Sequence, residues 1–208
     1  MEKAAVTINP LFGFGKEISV SLVMTVGNGI SSSMKPSLFF LLAMNLFALF
    51  ARAADPAPLA LGAPAPQVTS VDQNGKPLIF ADVYAKGITL VYFYPKAETP
   101  GCTAEACSLR DAYEALNARG LQILGVSKDG VAAQKKFQEN RKLPFMLVAD
   151  PEGKVAEAFH VPLIPMIGVT KRQSFLIQDG KLVWSSPNAQ TSGAAQEVQK
   201  ALDSLQKQ

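Results

Sequence analysis

Apolar residues along this chain follow two spacings, and the alternation between them predicts the architecture. Ile88-Thr-Leu-Val-Tyr-Phe-Tyr94 is a charge-free run of β-branched and aromatic residues, the pattern of a central strand covered on both faces. Leu121–Val126 and Phe145–Val148 repeat it. Between these runs, Ala106, Leu109, Tyr113 and Leu116 recur at helical spacing across Cys102–Arg119, and Gly120 supplies the stop. Residues 130–142 read as a further helix. A hairpin stands on each side of this block. Val68–Val71 turns through Asp72-Gln73-Asn74-Gly75 into Pro77–Phe80, and Ser174–Ile177 turns through Gln178-Asp179-Gly180 into Lys181–Trp184. Asp150-Pro151-Glu152-Gly153 leads into a short helix ending near Phe159, and Ala195, Val198, Leu202 and Leu205 stripe a closing helix over 192–206. Strand–helix–strand alternation ending in a hairpin and a helix predicts an α/β domain, a central mixed β-sheet flanked by helices with an N-terminal β-hairpin.

The first 53 residues have a different grammar. Met34-Lys35-Pro36 opens a basic stretch, Leu38–Phe50 is apolar except for Asn45, and Ala51-Arg52-Ala53 precedes a Pro-rich segment. This is the layout of a secretory signal peptide. The apolar run has thirteen residues, short of the roughly 20 that cross a bilayer as a helix. An uncleaved anchor or a buried helix is the alternative. The expectation is an N-terminal extension over 1–53 with the signal peptide at 34–53 and translation starting at Met34. A Pro/Ala-rich linker over 54–66 then runs extended across the surface, and one domain fills 67–208. The product is expected to be exported, to a periplasm or an organelle lumen.

Charge narrows the partners. Residues 1–53 hold four of the 20 basic side chains and two of the 17 acidic ones, so the remainder carries 16 against 15, a net of +1. A nearly neutral body has no electrostatic footprint for nucleic acid.

The chemistry gathers in Tyr92-Phe-Tyr-Pro-Lys-Ala-Glu-Thr-Pro-Gly-Cys102-Thr-Ala-Glu-Ala-Cys107, which holds both cysteines of the chain. A buried strand runs into a Pro/Gly loop, and Cys102 falls where a helix begins. The leading N–H groups of a helix lack internal partners and carry the positive end of its dipole. They favour the thiolate, the nucleophilic form of cysteine. Thr99 lies three residues earlier, within reach of a ligand over the same helix end. The bland alternative, a small buried hydrophobe, suits Cys107 better than Cys102. Residues five apart in a helix are displaced by about 7.5 Å along the axis and about 140° around it, which sets their Cα atoms about 8–9 Å apart. A disulfide tolerates about 7 Å. The pair cannot bond while the helix is intact, so it makes a poor static staple. Two cysteines and one histidine do not supply the four ligands of structural zinc, and the C-x-x-C spacing of thioredoxin-like exchangers is absent.

The stretch YFYPKAETPGCTAEACSLRD resembles the peroxiredoxins of the bacterioferritin-comigratory-protein or Q type, within the AhpC/TSA superfamily. Their P-x-x-x-T-x-x-C motif maps onto Pro95, Thr99 and Cys102, and their resolving cysteine onto Cys107. The likeness runs from about residue 60 to the C-terminus and includes VADPEGKVAEAF and KRQSFLIQDGKLVW. It implies a thioredoxin-like fold and a thiol peroxidase that reduces hydrogen peroxide or alkyl hydroperoxides. Cys102 becomes a sulfenic acid, Cys107 closes an intramolecular disulfide, and a thioredoxin-like dithiol reopens it with no cofactor. The chain is expected to act as a monomer. In this family an arginine on a late strand completes the site, and Arg172 matches it; an ordinary strand-edge charge, or Lys171 in its place, is the alternative. Glu105 is expected to decorate the first helical turn, His160 and Trp184 to be structural, and His160–Val169 to cover the core rather than line the peroxide's approach. Two rival functions remain, a protein thiol–disulfide oxidoreductase and a binding or chaperone module with a passive cysteine couple. Disulfide exchange needs neither Thr99 nor Arg172.

Overall fold

A computed structural model describes residues 57–207; the signal-peptide reading of 34–53 and the start at Met34 lie outside them. The strands are β1 (Thr69–Asp72), β2 (Pro77–Ile79), β3 (Thr89–Phe93), β4 (Gln122–Ser127), β5 (Met146–Ala149), β6 (Gln173–Gln178) and β7 (Lys181–Ser186). The helices are α1 (Phe80–Tyr84), α2 (Pro100–Asp111), α3 (Tyr113–Ala118), α4 (Val131–Arg141), α5 (Lys154–Ala158) and α6 (Ala194–Leu205). The strands form one mixed sheet in the order β2-β1-β5-β4-β3-β6-β7. β3–β4 and β4–β5 pair parallel, and the other neighbours pair antiparallel. The expected α/β architecture and both hairpins are present.

The period of two along each strand sorts the core into two layers. Leu90, Tyr92 and Tyr94 face one side, where Ile123, Leu147 and Leu176 join them under Ala106 and Leu109 of α2, Phe137 of α4 and Val198 of α6. Val91 and Phe93 face the other, with Leu124, Val126, Val148 and Phe175 under α1 and α5. All of β3 is buried, as its charge-free sequence requires.

Two expectations need revision. Phe80 opens a helix instead of ending a strand, because Phe80, Val83 and Tyr84 share one buried helical face. The helix expected over 102–119 starts two residues earlier, at Pro100, and divides at Ala112, whose backbone (φ −99°, ψ 4°) leaves the helical basin; the apolar stripe continues through Leu116 of α3. The Pro/Ala-rich segment bonds to β7 through its backbone. Gly62 N–H donates to Leu182 O at 2.7 Å, Ala65 N–H to Gly180 O at 2.8 Å, and Leu182 N–H to Ala63 O at 2.9 Å. Residues 62–65 therefore add an extended piece beside β7 and cover an edge that would otherwise present unpaired backbone groups.

Candidate active site

Sheet topology brings the two halves of the site together. β3 delivers Tyr94 and Pro95 to its C-terminal end, and the loop 95–99 then feeds α2. β6 lies antiparallel beside β3 with Gln173 opposite Phe93. Arg172, one residue before β6, is thereby set next to the end of β3 and over the start of α2. Pro100 occupies the first helical position, where a missing N–H is harmless. Cys102 sits in the first turn and is 2% exposed.

Arg172 divides its guanidinium between two partners. Nη2 lies 3.3 Å from Cys102 Sγ, and Nη1 donates to Glu105 Oε2. Glu105, expected to decorate the first helical turn, is fully buried, and its Oε1 has no partner among the described residues. Burial pushes its carboxyl up to about 8, against the pull of Arg172. For Arg172, burial works downward while Glu105 and Cys102 work upward, and the net shift is upward, so it is a permanent cation. Tyr92, also buried and with no hydroxyl partner among the described residues, has its ionisation pushed well up, first by burial and then by Tyr94 and Glu105.

The loop is held at several points. Thr99 is the N-cap residue, yet its hydroxyl donates to Lys96 O at 2.9 Å and makes no cap bond. Ala97 N–H donates to Asp129 Oδ2 at 2.7 Å. Glu98, at a left-handed φ of 62°, accepts from Asn140 and pairs with Arg141 at the end of α4. Pro95 is half-buried beside Tyr94, whose carbonyl accepts from the buried Thr170 hydroxyl at 2.9 Å. Cys107 is half-buried and unlinked, in the same unbroken helix as Cys102.

Of the residues singled out in the sequence, the structure sets Arg172 against Cys102; Pro95 and Thr99 stand in the loop that leads into α2, with the Thr99 hydroxyl bonded to Lys96 O, and Cys107 lies five residues along the helix. Two residues escaped that reading. Glu105 was legible in principle, because Cys102, Glu105, Ala106 and Leu109 fall at i, i+3, i+4 and i+7 and all are buried, so a charge stood on the apolar stripe. Thr170 carried no local signal, since its role depends on a strand 76 residues away. His160–Val169 does not cover the core. Only Val161 within it is buried, while Leu163, Met166 and Ile167 are exposed on a tight turn closed by Ile164 N–H to Val169 O at 2.7 Å.

Arginine on a buried thiol at a helix start is the equipment of a cysteine nucleophile. The AhpC/TSA family model matches residues 61–185, and the chain belongs to that family. A putative peroxiredoxin bcp of Haemophilus influenzae is 44% identical over 104 residues, 50% of this chain and 66% of that protein. The chain spans 56% of the length of other curated relatives, which are named peroxiredoxin Q. The crystal structure of peroxidoxin BcpB from Mycobacterium tuberculosis superposes with a TM-score of 0.66 at 30% identity, covering 70% of this chain and 97% of that one. The bacterioferritin comigratory protein of Xanthomonas campestris, whose structures are described as giving insight into alkyl peroxide reduction, superposes at 0.63 with 27% identity, covering 72% and 98%. The resemblance read from the cysteine motif is borne out, and so is the thioredoxin-like class of fold.

Proposed function

We propose that the chain is a thiol peroxidase reducing hydrogen peroxide and organic hydroperoxides. The observation that carries this is the guanidinium of Arg172 resting on Cys102 Sγ at the start of α2. Arg172 and the first-turn N–H groups hold the peroxide oxygens. The thiolate attacks one oxygen and the O–O bond breaks. The leaving oxygen departs as water or an alcohol after taking one proton, and Cys102 is left as a sulfenic acid. Arg172 meets the charge that develops on the departing oxygen. α2 then unwinds, and the Cys107 thiol condenses with the sulfenic acid, releasing water and forming the disulfide. An external dithiol of the thioredoxin type reduces that bond.

Both cysteines of the cycle lie in one helix, which supports a monomer as the working unit. The layout of residues 34–53 supports export, and an exported enzyme needs a dithiol donor outside the cytoplasm. Alkyl hydroperoxides enter the reading through the Xanthomonas relative.

Stopped-flow consumption of stoichiometric hydrogen peroxide by the reduced chain tests the proposal. Cys102→Ser is expected to abolish it. Cys107→Ser is expected to keep the first oxidation, leave a sulfenic acid open to trapping, and stall turnover with a thioredoxin-type donor. Equal consumption by Cys102→Ser would refute the reading and leave protein disulfide exchange as the alternative.

A further inference from the structure

α6 begins without a cap of its own. Its N-cap residue is Gly193, which makes no side-chain bond to the first-turn amides. The N–H of Ala195 donates instead to Ser108 Oγ at 3.1 Å, and Ser108 is the residue of α2 that follows Cys107. The approach to α6 passes near the other end of the same segment. A Cβ placed on Gly101 would lie 3.6 Å from Thr191 Cγ2, and Ala194 N–H bonds Thr191 O at 3.2 Å. Glu197 fixes this approach from within α6, accepting from Ser186 Oγ at 2.6 Å and from Gln190 N–H at 2.9 Å. Between the two contacts, Ala194 and Val198 share a core cluster with Cys102, Ala106 and Leu109. The start of α6 therefore braces α2 from Gly101 to Ser108, the span that must lose its helical form before Cys102 and Cys107 can bond.

We propose that Ser108 is a positioning residue for the resolving step, its hydroxyl bracing α2 against α6 until Cys107 moves toward Cys102. This rests on the reading of Cys107 as the resolving thiol. A hydroxyl that supplies a helix with its cap stabilises the closed arrangement, and the opened arrangement forfeits it. Disulfide formation in one helix is thereby linked to fraying at the start of another.

Two measurements on the full chain test this. In the wild type, amide exchange of a peptide covering 193–198 is compared between the reduced and the disulfide forms. Exchange about fivefold faster in the disulfide form is expected, the factor a lost helix cap contributes; equal exchange overturns the proposal. Quenched-flow mass spectrometry then follows Ser108→Ala and Ser108→Thr after a peroxide pulse. Ser108→Ala is expected to form sulfenic acid at the wild-type rate and to close the disulfide about fivefold faster, with Ser108→Thr returning the closure rate toward wild type. Unchanged closure in a folded Ser108→Ala overturns the proposal. Should that variant not fold, the wild-type exchange comparison decides alone. Diamide, which closes vicinal thiols without peroxide, separates the two readings. A Ser108→Ala effect with diamide but no reaction with peroxide upholds the brace and sinks the peroxidase. No Cys102–Cys107 bond with either oxidant sinks the brace.

Discussion

Replacing Arg172 by lysine tests whether the forked geometry of the guanidinium, and not its charge alone, prepares Cys102. At the 3.3 Å separation of Nη2 from Sγ, a unit charge pair is worth about 5 kcal/mol at an effective dielectric of about 20. The Arg172 side chain is only 17% exposed, so bulk screening is modest. Lysine keeps most of that attraction. It cannot donate to Cys102 and Glu105 at once in fixed planar geometry, because a single ammonium replaces two nitrogens of a rigid fork. A hydrogen bond to a charged partner contributes about 1.5–3 kcal/mol, and about 1.4 kcal/mol is a factor of ten in rate. Arg172→Lys should therefore oxidise about 10- to 100-fold more slowly at Cys102 while remaining folded. Competition for hydrogen peroxide against a chromogenic haem peroxidase gives the rate constant directly, and urea unfolding checks the fold. A variant that reacts within about twofold of wild type would show that charge alone suffices and would refute the argument from the fork. Arg172→Ala is the poorer probe. It leaves the buried Glu105 carboxyl without its hydrogen-bond partner, a loss of about 1–3 kcal/mol in stability that confuses the kinetics.

Glu105 carries a pH signature whose sign follows from burial. Its carboxyl is raised to about 8 in the folded chain from an ordinary 4.5, so the native state holds this proton more tightly than the unfolded state does. Unfolding releases a proton between those values, and the stability associated with it is lost as pH rises through about 8. Urea midpoints at pH 5 and pH 8.5 should fall more steeply in wild type than in Glu105→Gln, and parallel declines would contradict the assignment. Gly125 of β4 is the most crowded of the described glycines. A Cβ there would stand 2.6 Å from Tyr92 Oη and 2.8 Å from Leu147 Cδ2, so Gly125→Ala should cost about 1–3 kcal/mol by overpacking. A thermal melt within experimental error of wild type would show that Tyr92 moves aside freely.

The order of elements, both hairpins and the reactive motif were legible in the sequence because each is written locally. Period-two runs specify strands, period-3.6 stripes specify helices, and a cysteine after Pro-Gly marks a helix start. Even the need for α2 to open followed from five residues of spacing. What the local pattern could not supply was anything settled between elements. Phe80 reads as strand or helix until the layer beneath it chooses. The Pro/Ala-rich segment reads as an extended surface linker, and nothing in its sequence says that its backbone finds partners along β7. Glu105 reads as decoration of the first helical turn because its meaning lies in Arg172, 67 residues away, and Thr170 acquires a role only once β6 is laid beside β3. Ser108 is silent for the same reason, since the amide it caps belongs to α6. The sequence by itself determined that a cysteine stands at a helix start, which helix that is, and how far along it the second cysteine lies, all governed by short-range geometry. Only the tertiary structure decided which distant charges and amides hold that helix closed, because those bonds exist only after the sheet has set its strand order.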